Sequence, residues 1–221
     1  NCVLNEYLKN GAKSYHTFIL VPTITLVEQW AEEAKAFNFQ DVILISSKDK
    51  WESNLATTLS MAKRVSVSFI IISTYASFTR DRFNKYAKQL PADTIFIADE
   101  AHNIGAKSVV RKLDSIELKK RIGLSATPKR VYDPEGSDAM EKFFNDSEPY
   151  TYAFSMEKAI TEGILCQYDY HPHLIRLTNE ELEEYAELTE KLARLYRPIS
   201  EGFEKNEIAE RLLLKRKRII H

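Results

Sequence analysis

Five apolar runs recur along the first 124 residues of the chain, and each is followed at its carboxyl end by small or polar residues. The runs are short, do not alternate with polar residues, and contain many β-branched and aromatic side chains. This composition is typical of strands that are buried on both faces of a parallel sheet. The pattern therefore predicts five strands, over His16–Val21, Val42–Ile45, Val67–Ile72, Thr94–Ala98 and Arg121–Leu124.

The segments between these runs carry apolar residues at helical spacing. Thr25 and Glu28 have the spacing of a capping box, so a helix is predicted to begin at Thr25. Asp49 and Glu52 predict a second capped helix by the same rule. Further helices are predicted over Cys2–Lys9, from Phe78 through Tyr86, and in a short piece after Ala98. Because strands alternate with helices, the fold class is predicted to be α/β, a doubly wound parallel sheet with helices on both faces.

Beyond Pro128 the pattern changes to a charged linker and a series of amphipathic segments, which puts a domain boundary near residues 128–148. Thr178 and Glu181 form a further capping box and predict a long helix. The run Gln167–Leu177 alternates weakly and, because Pro172 cannot donate a ladder hydrogen bond, it is predicted to be an edge strand. Other helices are predicted around Met140–Phe144, over Met156–Glu162 behind the cap Ser155, and from about Asn206 to the end.

Composition excludes few functions. The 221 residues carry a net charge of −1 with a pI near 6.6, which neither requires nor excludes nucleic acid, because a local basic groove is enough to bind phosphates. Cys2 and Cys166 are far apart in sequence and indicate neither a disulfide framework nor a zinc site, so a reducing cytoplasm is the expected location. No apolar run approaches the length that spans a membrane, and no membrane partner is expected.

The stretch from Thr94 to Ala106 carries the clearest chemistry. Its apolar strand leads directly into two adjacent carboxylates, Asp99 and Glu100, with His102 close behind. In open parallel sheets, ligands bind beyond the carboxyl ends of the strands, and two acids there need a cationic partner. The pattern predicts a Mg²⁺ ion that carries nucleotide phosphates. The alternative, a solvated acidic turn, is less favourable because a buried strand delivers both acids.

Four strand-end loops together resemble the motifs of superfamily-2 helicases and translocases. V-P-T-x-x-L-V-x-Q-W from Val21 resembles motif Ia, S-T-Y from Ser73 motif Ib, D-E-A-H from Asp99 the Walker B motif, and G-L-S-A-T-P from Gly123 motif III. The four occur in family order, which makes the resemblance specific although each alone is weak. The resemblance covers about residues 2–177. It implies a RecA-like first helicase lobe over residues 1–128, an inter-lobe linker and the start of a second lobe over 129–177, and a helical extension or insertion over 178–221.

The resemblance also implies roles for the acidic loop and for motif III. Asp99 would hold Mg²⁺ through water, and Glu100 would orient and deprotonate the water that attacks the γ-phosphate of ATP. His102, Ser125 and Thr127 would couple nucleotide state to the second lobe. The alternative for the Ser and Thr side chains is that they satisfy backbone groups at a strand end, and both roles can coexist.

The loops after the first and third strands are implied to touch nucleic acid. Pro22, Thr23, Thr74 and Tyr75 match family positions that contact the backbone of the nucleic acid, where hydroxyl groups position a strand without reading sequence. Helix capping is the alternative, and for Thr25 it is the preferred interpretation. Trp30 is predicted to belong to the core rather than to a base-stacking platform.

A phosphate-binding loop, G-x-x-x-x-G-K-[ST], is absent from the sequence. Gly11–Ser14 and Gly105–Ser108 both lack the glycine directly before the lysine. In the family this loop precedes the helix that leads to motif Ia, so it is expected just before Asn1, and the arginine-rich motif VI is missing as well. We therefore expect an N-terminally truncated lobe with a mainly helical connector, which alone is inactive and binds nucleotide poorly.

Two details of the sequence resemble the DNA-handling branch of the superfamily. They are the proline of Ser125–Pro128 and the pair Gln29 and Trp30, and the branch includes type I and type III restriction subunits and the xeroderma-type repair helicases. The resemblance implies an ATP-dependent helicase or translocase on DNA, with duplex DNA as the expected partner, RNA as a less favoured one, and restriction or defence subunits as further partners. The alternatives are a catalytically silent nucleic-acid-binding module and an RNA helicase of the DEAH type.

Overall fold

A computed structural model describes residues 2–9, 13–46, 50–114, 116–130, 133–173, 176–196 and 207–219. The chain forms two compact units, residues 1–153 and 154–221. The strands are β1 (His16–Val21), β2 (Val42–Ile45), β3 (Phe69–Thr74), β4 (Ile95–Asp99) and β5 (Lys120–Leu124). The helices are α1 (Cys2–Lys9), α2 (Ile24–Ala36), α3 (Glu52–Ala62), α4 (Tyr75–Phe78), α5 (Asp81–Ala87), α6 (Lys107–Leu113), α7 (Pro134–Phe144), α8 (Met156–Thr161), α9 (Asn179–Tyr196) and α10 (Glu207–Ile219), with a 3₁₀ helix over Ala101–Gly105.

All five strands form one parallel sheet in the order β2-β3-β1-β4-β5. The register places Leu20 beside Ser73 on one side and Ala98 on the other, so the carboxyl ends of the central strands lie together. From β1 the chain goes to the edge strand β2, returns to β3, and then crosses β1 to form β4 and β5 on its other side, so that strands are added on both sides of β1 as in a doubly wound sheet. The predicted RecA-like α/β fold is confirmed.

Strands β1 to β4 have apolar contacts on both faces of the sheet, because successive residues of each of these strands belong to two different cores. In β1, Phe18 and Leu20 belong to one core, whereas Ile19 and Val21 belong to the other. The first core is rich in aromatic rings, and Phe18 lies 5.5 Å between ring centroids from Phe96. Burying each such ring contributes about 2 kcal/mol, which explains why the strands are almost wholly apolar.

Several element ends differ from the sequence prediction. The helix after β1 begins at Ile24, with Thr23 as its N-cap, because the Thr23 hydroxyl accepts a hydrogen bond from the Leu26 amide. The predicted cap at Thr25 is therefore wrong. Asp49, the predicted cap of the next helix, lies outside the described residues, and Trp51 precedes that helix without a side-chain capping bond.

The single helix predicted from Phe78 to Tyr86 is instead two short helices, α4 and α5. Arg80 between them has φ −77° and ψ 140°, an extended conformation that ends one helix before the other begins. The strand before them, β3, lies two residues later than predicted, so that Thr74 ends the strand and also caps α4. The sequence shifts are small, but they decide which residues reach the carboxyl edge of the sheet.

Helix α7 belongs to the first compact unit, which ends at Ala153, whereas the sequence puts the boundary near residues 128–148. The helix packs on the 3₁₀ helix that follows β4, and Met140 on its inner face is buried. The approach is so close that a Cβ added to Gly105 would lie 2.6 Å from the carbonyl carbon of Gly136. Glycine is therefore needed at position 105, since any larger residue would overlap the backbone of Gly136, whereas a Cβ at Gly136 would meet the side chain of Asp133.

The second unit contains α8, α9 and α10. The capping box predicted for α9 is confirmed, with the Glu181 amide 3.2 Å from the Thr178 hydroxyl and the Thr178 amide 2.8 Å from the Glu181 carboxylate. Helices α9 and α10 pack together, and an ion pair joins Lys215 to Glu184 at 2.7 Å. Ser155 caps α8 as predicted.

The edge strand predicted over 167–177 is wrong for the part that the structure describes. Residues 167–173 and 176–177 form no strand there, and Tyr168 and Tyr170 are 61% and 80% exposed. A weakly alternating segment becomes a strand only when a neighbouring strand pairs with it, and none does so here. Within the described ranges, no helix is long and apolar enough to cross a membrane.

Candidate nucleotide and nucleic-acid site

The carboxyl edge of the sheet gathers the site residues predicted from four separate motifs. Strands β1, β3, β4 and β5 end at Val21, Thr74, Asp99 and Leu124. Because the strands are parallel and β1, β3 and β5 are direct or next neighbours of β4, the loops that follow the four strands lie along one edge. This edge is where ligands bind in doubly wound sheets.

Asp99 is half-buried at the end of β4 and is held by three hydrogen bonds. Its Oδ1 accepts from the Glu100 amide at 3.0 Å, and its Oδ2 accepts from the Trp30 indole N–H at 3.1 Å. The Tyr75 hydroxyl donates to the Asp99 carbonyl oxygen at 2.8 Å. Both the carboxylate and the main chain of Asp99 are therefore fixed before any ligand binds.

The Asp99 carboxylate fits a Mg²⁺ ion that is bound mainly by nucleotide and water. Each carboxylate oxygen has two acceptor positions, and the described contacts occupy one on each oxygen. Mg²⁺ in nucleotide sites uses one or two carboxylates, several waters and the phosphates. Among the residues that the structure describes, no group of three or more His, Cys, Asp and Glu side chains could hold a metal ion by itself. The described residues thus offer one carboxylate for such a site and no complete protein cage.

Glu100 adopts a left-handed backbone conformation, with φ 49° and ψ 58°. This conformation is costly for a residue with a side chain and is found where the surrounding structure enforces it, often at functional sites. Asn103 helps to enforce it, since its side-chain amide donates to the Glu100 carbonyl oxygen at 3.0 Å. The Glu100 side chain is 43% exposed, so its carboxylate is open to a substrate or a water molecule.

The side chains predicted to couple the site lie together. His102 Nδ1 is 3.3 Å from the Ser125 hydroxyl oxygen and 3.4 Å from Glu100 Oε2. The Thr127 amide donates to the same Ser125 oxygen at 3.2 Å, which leaves the Ser125 proton able to bond to His102. The Thr127 side chain itself is exposed. One imidazole nitrogen thus lies between the Glu100 carboxylate and the first residue of the loop after β5.

Arg130 is a residue of the site that the sequence analysis missed. Its guanidinium donates to the His102 carbonyl oxygen at 2.8 Å and to Asp133 Oδ2 at 2.7 Å. The same Asp133 caps α7 by accepting from the Gly136 amide, and the hydrogen bonds from Arg130 and from that amide lower the Asp133 pKa. No local pattern predicts this contact, because Arg130 and His102 are 28 residues apart.

The four predicted nucleic-acid contacts differ in their surroundings. Thr23 is exposed and caps α2, whereas Thr74 is 8% exposed, caps α4 and also donates to the Ser77 hydroxyl. Pro22 is half-buried, and Tyr75 is buried with its hydroxyl bonded to Asp99. Of these side chains, Thr23 is the most accessible to a phosphate group, and Tyr75 is directed into the site.

Burial raises the Tyr75 pKa well above its ordinary value, and the negative charges of Asp99 and Glu100 raise it further. We expect Tyr75→Phe to lower the free energy of unfolding by about 1 kcal/mol at pH 7, because the Asp99 carbonyl loses its partner. Above pH 10 the unfolded phenol ionises while the folded one does not, so the wild type loses this advantage and the two proteins converge. Urea unfolding at pH 7 and pH 10.5 measures both values, and Tyr152→Phe at an exposed position is the control.

The chain belongs to the family described as "Type III restriction enzyme, res subunit", whose profile matches residues 2–130 of the 221. The resemblance to superfamily-2 helicases, and to their restriction-enzyme branch, is thereby confirmed. The first unit is a domain of the helicase and ATPase type. Members of such families use ATP with Mg²⁺, which agrees with the single carboxylate offered by Asp99.

Two solved structures are similar to the chain at low identity. The Sulfolobus solfataricus SWI2/SNF2 ATPase core in complex with dsDNA is 19% identical, with a TM-score of 0.41, over 99% of this chain and 50% of that one. The Pyrococcus furiosus Hef helicase domain is 15% identical, with a TM-score of 0.33, over 99% and 53%. The chain thus spans about half the length of these structures. No match was found among curated proteins.

Proposed function

We propose that this chain is part of an ATP-dependent DNA helicase or translocase and supplies the hydrolytic edge of its first lobe. The observation that carries the proposal is the grouping of Asp99, Glu100, His102 and Ser125 at the carboxyl edge of one parallel sheet. A silent binding module has no chemical need for a fixed carboxylate beside a strained, open one. Membership in the restriction-subunit family supports the same conclusion.

Each residue of the site would have a different role in ATP hydrolysis. Asp99 would hold a hydrated metal ion through its remaining acceptor positions, and Glu100 would orient the attacking water and accept its proton. Mg²⁺, when bound with ATP, neutralises charge that develops on the phosphates. His102 and Ser125 would respond to a change in the position or charge of Glu100. Ser125, which accepts from the Thr127 amide, would transmit that change to the loop that contains Thr127.

The exposed edge of the sheet indicates where the phosphate-binding loop would lie. In the described part of the chain, β5 is the edge strand of the sheet, and Arg121, Gly123 and Leu124 are exposed. An exposed strand edge next to an apolar sheet favours pairing with a further strand. We infer that the strand leading to the phosphate loop pairs with β5, so that the phosphates lie next to Asp99 and Glu100.

Duplex DNA is the nucleic acid along which we propose that the protein moves. Thr23 and Thr74 stand at the starts of α2 and α4, where hydroxyl groups and backbone amides suit contacts to phosphates without sequence readout. The matched family is described as a subunit of a restriction enzyme, so partner subunits of a restriction or defence system are proposed as well.

The ATPase activity of the complete protein should rise most with duplex DNA. The measurement compares duplex DNA, single-stranded DNA and RNA of equal length as stimulants, alone and in competition, at a fixed salt concentration because phosphate contacts are salt-dependent. Strongest stimulation by RNA would favour an RNA helicase instead. Absence of ATP hydrolysis under all conditions would leave only the binding module.

A further inference from the structure

Trp30 makes a contact that the motif pattern does not assign. It lies in α2, half-buried beside the core that includes Val27 and Ala31, and its indole nitrogen donates to Asp99 Oδ2 at 3.1 Å. The two residues are 69 positions apart in sequence. An indole N–H is a donor only, and an ionised carboxylate is an acceptor only, so the direction of this hydrogen bond is fixed.

The hydrogen bond from Trp30, together with that from the Glu100 amide, restrains the orientation of the Asp99 carboxylate. With Oδ1 bonded to the Glu100 amide and Oδ2 bonded to Trp30, rotation of the Asp99 carboxylate would break one of two charge-assisted hydrogen bonds. The Tyr75 hydroxyl restrains the main chain of the same residue. Asp99 is thus held by its own loop, by α2 and by α4.

Helix α2 is also the helix that begins at Thr23, the most exposed of the predicted DNA contacts. A single helix therefore has a proposed phosphate contact at its start and, seven residues further along, the indole that donates to the Asp99 carboxylate. A shift of α2 on DNA binding would move the Trp30 donor relative to Asp99.

We propose that Trp30 is a positioning residue, which orients the Asp99 carboxylate for the divalent metal and links helix α2 to the metal site. The inference rests on the proposed function, because it requires that Asp99 takes part in binding metal and nucleotide. Groups that orient metal ligands change metal affinity by about 10- to 100-fold when they are removed. Trp30 acts through Asp99 and does not touch the substrate.

Trp30→Phe in the complete protein tests the inference, because it keeps an aromatic ring and removes only the donor and part of the ring volume. The readout is the binding of Mn²⁺ in the presence of ADP, followed by electron paramagnetic resonance of the free ion. We expect affinity for Mn²⁺ to fall about tenfold. The DNA concentration needed for half-maximal ATPase stimulation should also rise, since α2 would no longer be tied to Asp99.

Trp51→Phe is the matched control. Trp51 is also buried and also donates its indole N–H, but to the Ser46 carbonyl oxygen, away from the site. This variant should retain wild-type affinity for Mn²⁺. Trp30→His is the rescue variant, because its Nε2–H occupies the same ring position as the indole nitrogen, and it should bind Mn²⁺ more tightly than Trp30→Phe. It also keeps the test decisive if Trp30→Phe fails to fold.

The outcomes separate the two proposals. Equal affinity for Mn²⁺ in the wild type and in folded Trp30→Phe would overturn the positioning role and leave the proposed function intact. A loss of affinity in Trp51→Phe as large as in Trp30→Phe would overturn it too, since the effect would then be one of general packing. If the wild type itself binds no Mn²⁺ with ADP, the proposed function fails, and the role of Trp30 fails with it.

Discussion

Glu100→Gln should reduce ATP hydrolysis by the complete protein about 10²- to 10⁴-fold while leaving ATP binding nearly unchanged. The amide has the size and the hydrogen-bonding reach of the carboxylate, but it cannot accept the proton of the attacking water. Glu100 is suited to that task because it is partly exposed and its backbone is held in a strained conformation next to Asp99. Single-turnover hydrolysis and calorimetric ATP binding measure the two quantities separately.

Glu32→Gln is the control for this experiment. Glu32 is exposed on α2, in the same compact unit and on an element that contacts the site, so it removes an equal charge without touching the proposed chemistry. Near-normal turnover in Glu100→Gln would show that another group acts as the base. Loss of ATP binding in the same variant would show that Glu100 holds the nucleotide rather than the water.

Gly105→Ala should lower the free energy of unfolding of the first unit by about 3 kcal/mol, the upper part of the range for overpacking. The added methyl group would overlap the backbone of Gly136 and lie 2.7 Å from Arg130 Cδ. A backbone cannot move aside as a side chain can, so α7 and the 3₁₀ helix must separate. That separation would also break the bond from Arg130 to the His102 carbonyl oxygen.

Gly123→Ala is the matched substitution for Gly105→Ala. A Cβ at Gly123 would meet the ring of Phe144 at 3.0 Å and the Ala101 side chain at 3.1 Å, contacts that small movements relieve. We therefore expect a cost of about 1 kcal/mol or less at this position. Urea unfolding, followed by the fluorescence of the buried Trp51, compares the two variants. Equal stability of both variants would contradict the close packing of Gly105 on Gly136.

The parallel sheet was predictable because a strand that is buried on both faces has an almost uninterrupted apolar sequence. A strand such as Phe69–Thr74 has no solvent-facing side, so its residues are apolar almost without interruption, and the run is visible without an alignment. The polar residues that follow each run then mark the ligand-binding edge. The same reasoning brought Asp99, which ends β4, and Ser125, which follows β5, to one edge of the sheet.

Local sequence patterns predicted the structure less reliably where more than one structural interpretation of the same segment was available. Thr23 and Thr25 both precede the apolar face of α2, and only the actual course of the chain after Pro22 makes Thr23 the cap. The run 167–177 has a strand-like pattern, but pairing depends on a partner that no local pattern specifies. The expected boundary region of residues 128–148 left the place of α7 open, because it depends on packing such as that of Gly105 on Gly136.

By itself, the sequence determined the fold class, the order of the motifs and the residues that stand at the carboxyl edge of the sheet, since these follow from the alternation of buried strands with helices. Only the tertiary structure decided how those residues are held. Trp30 binds Asp99 across 69 positions, and Arg130 binds His102 across 28. Such contacts depend on helix packing over distances at which sequence patterns carry no signal. The sequence therefore predicts the pair Asp99 and Glu100, whereas only the tertiary structure determines how their side chains are oriented.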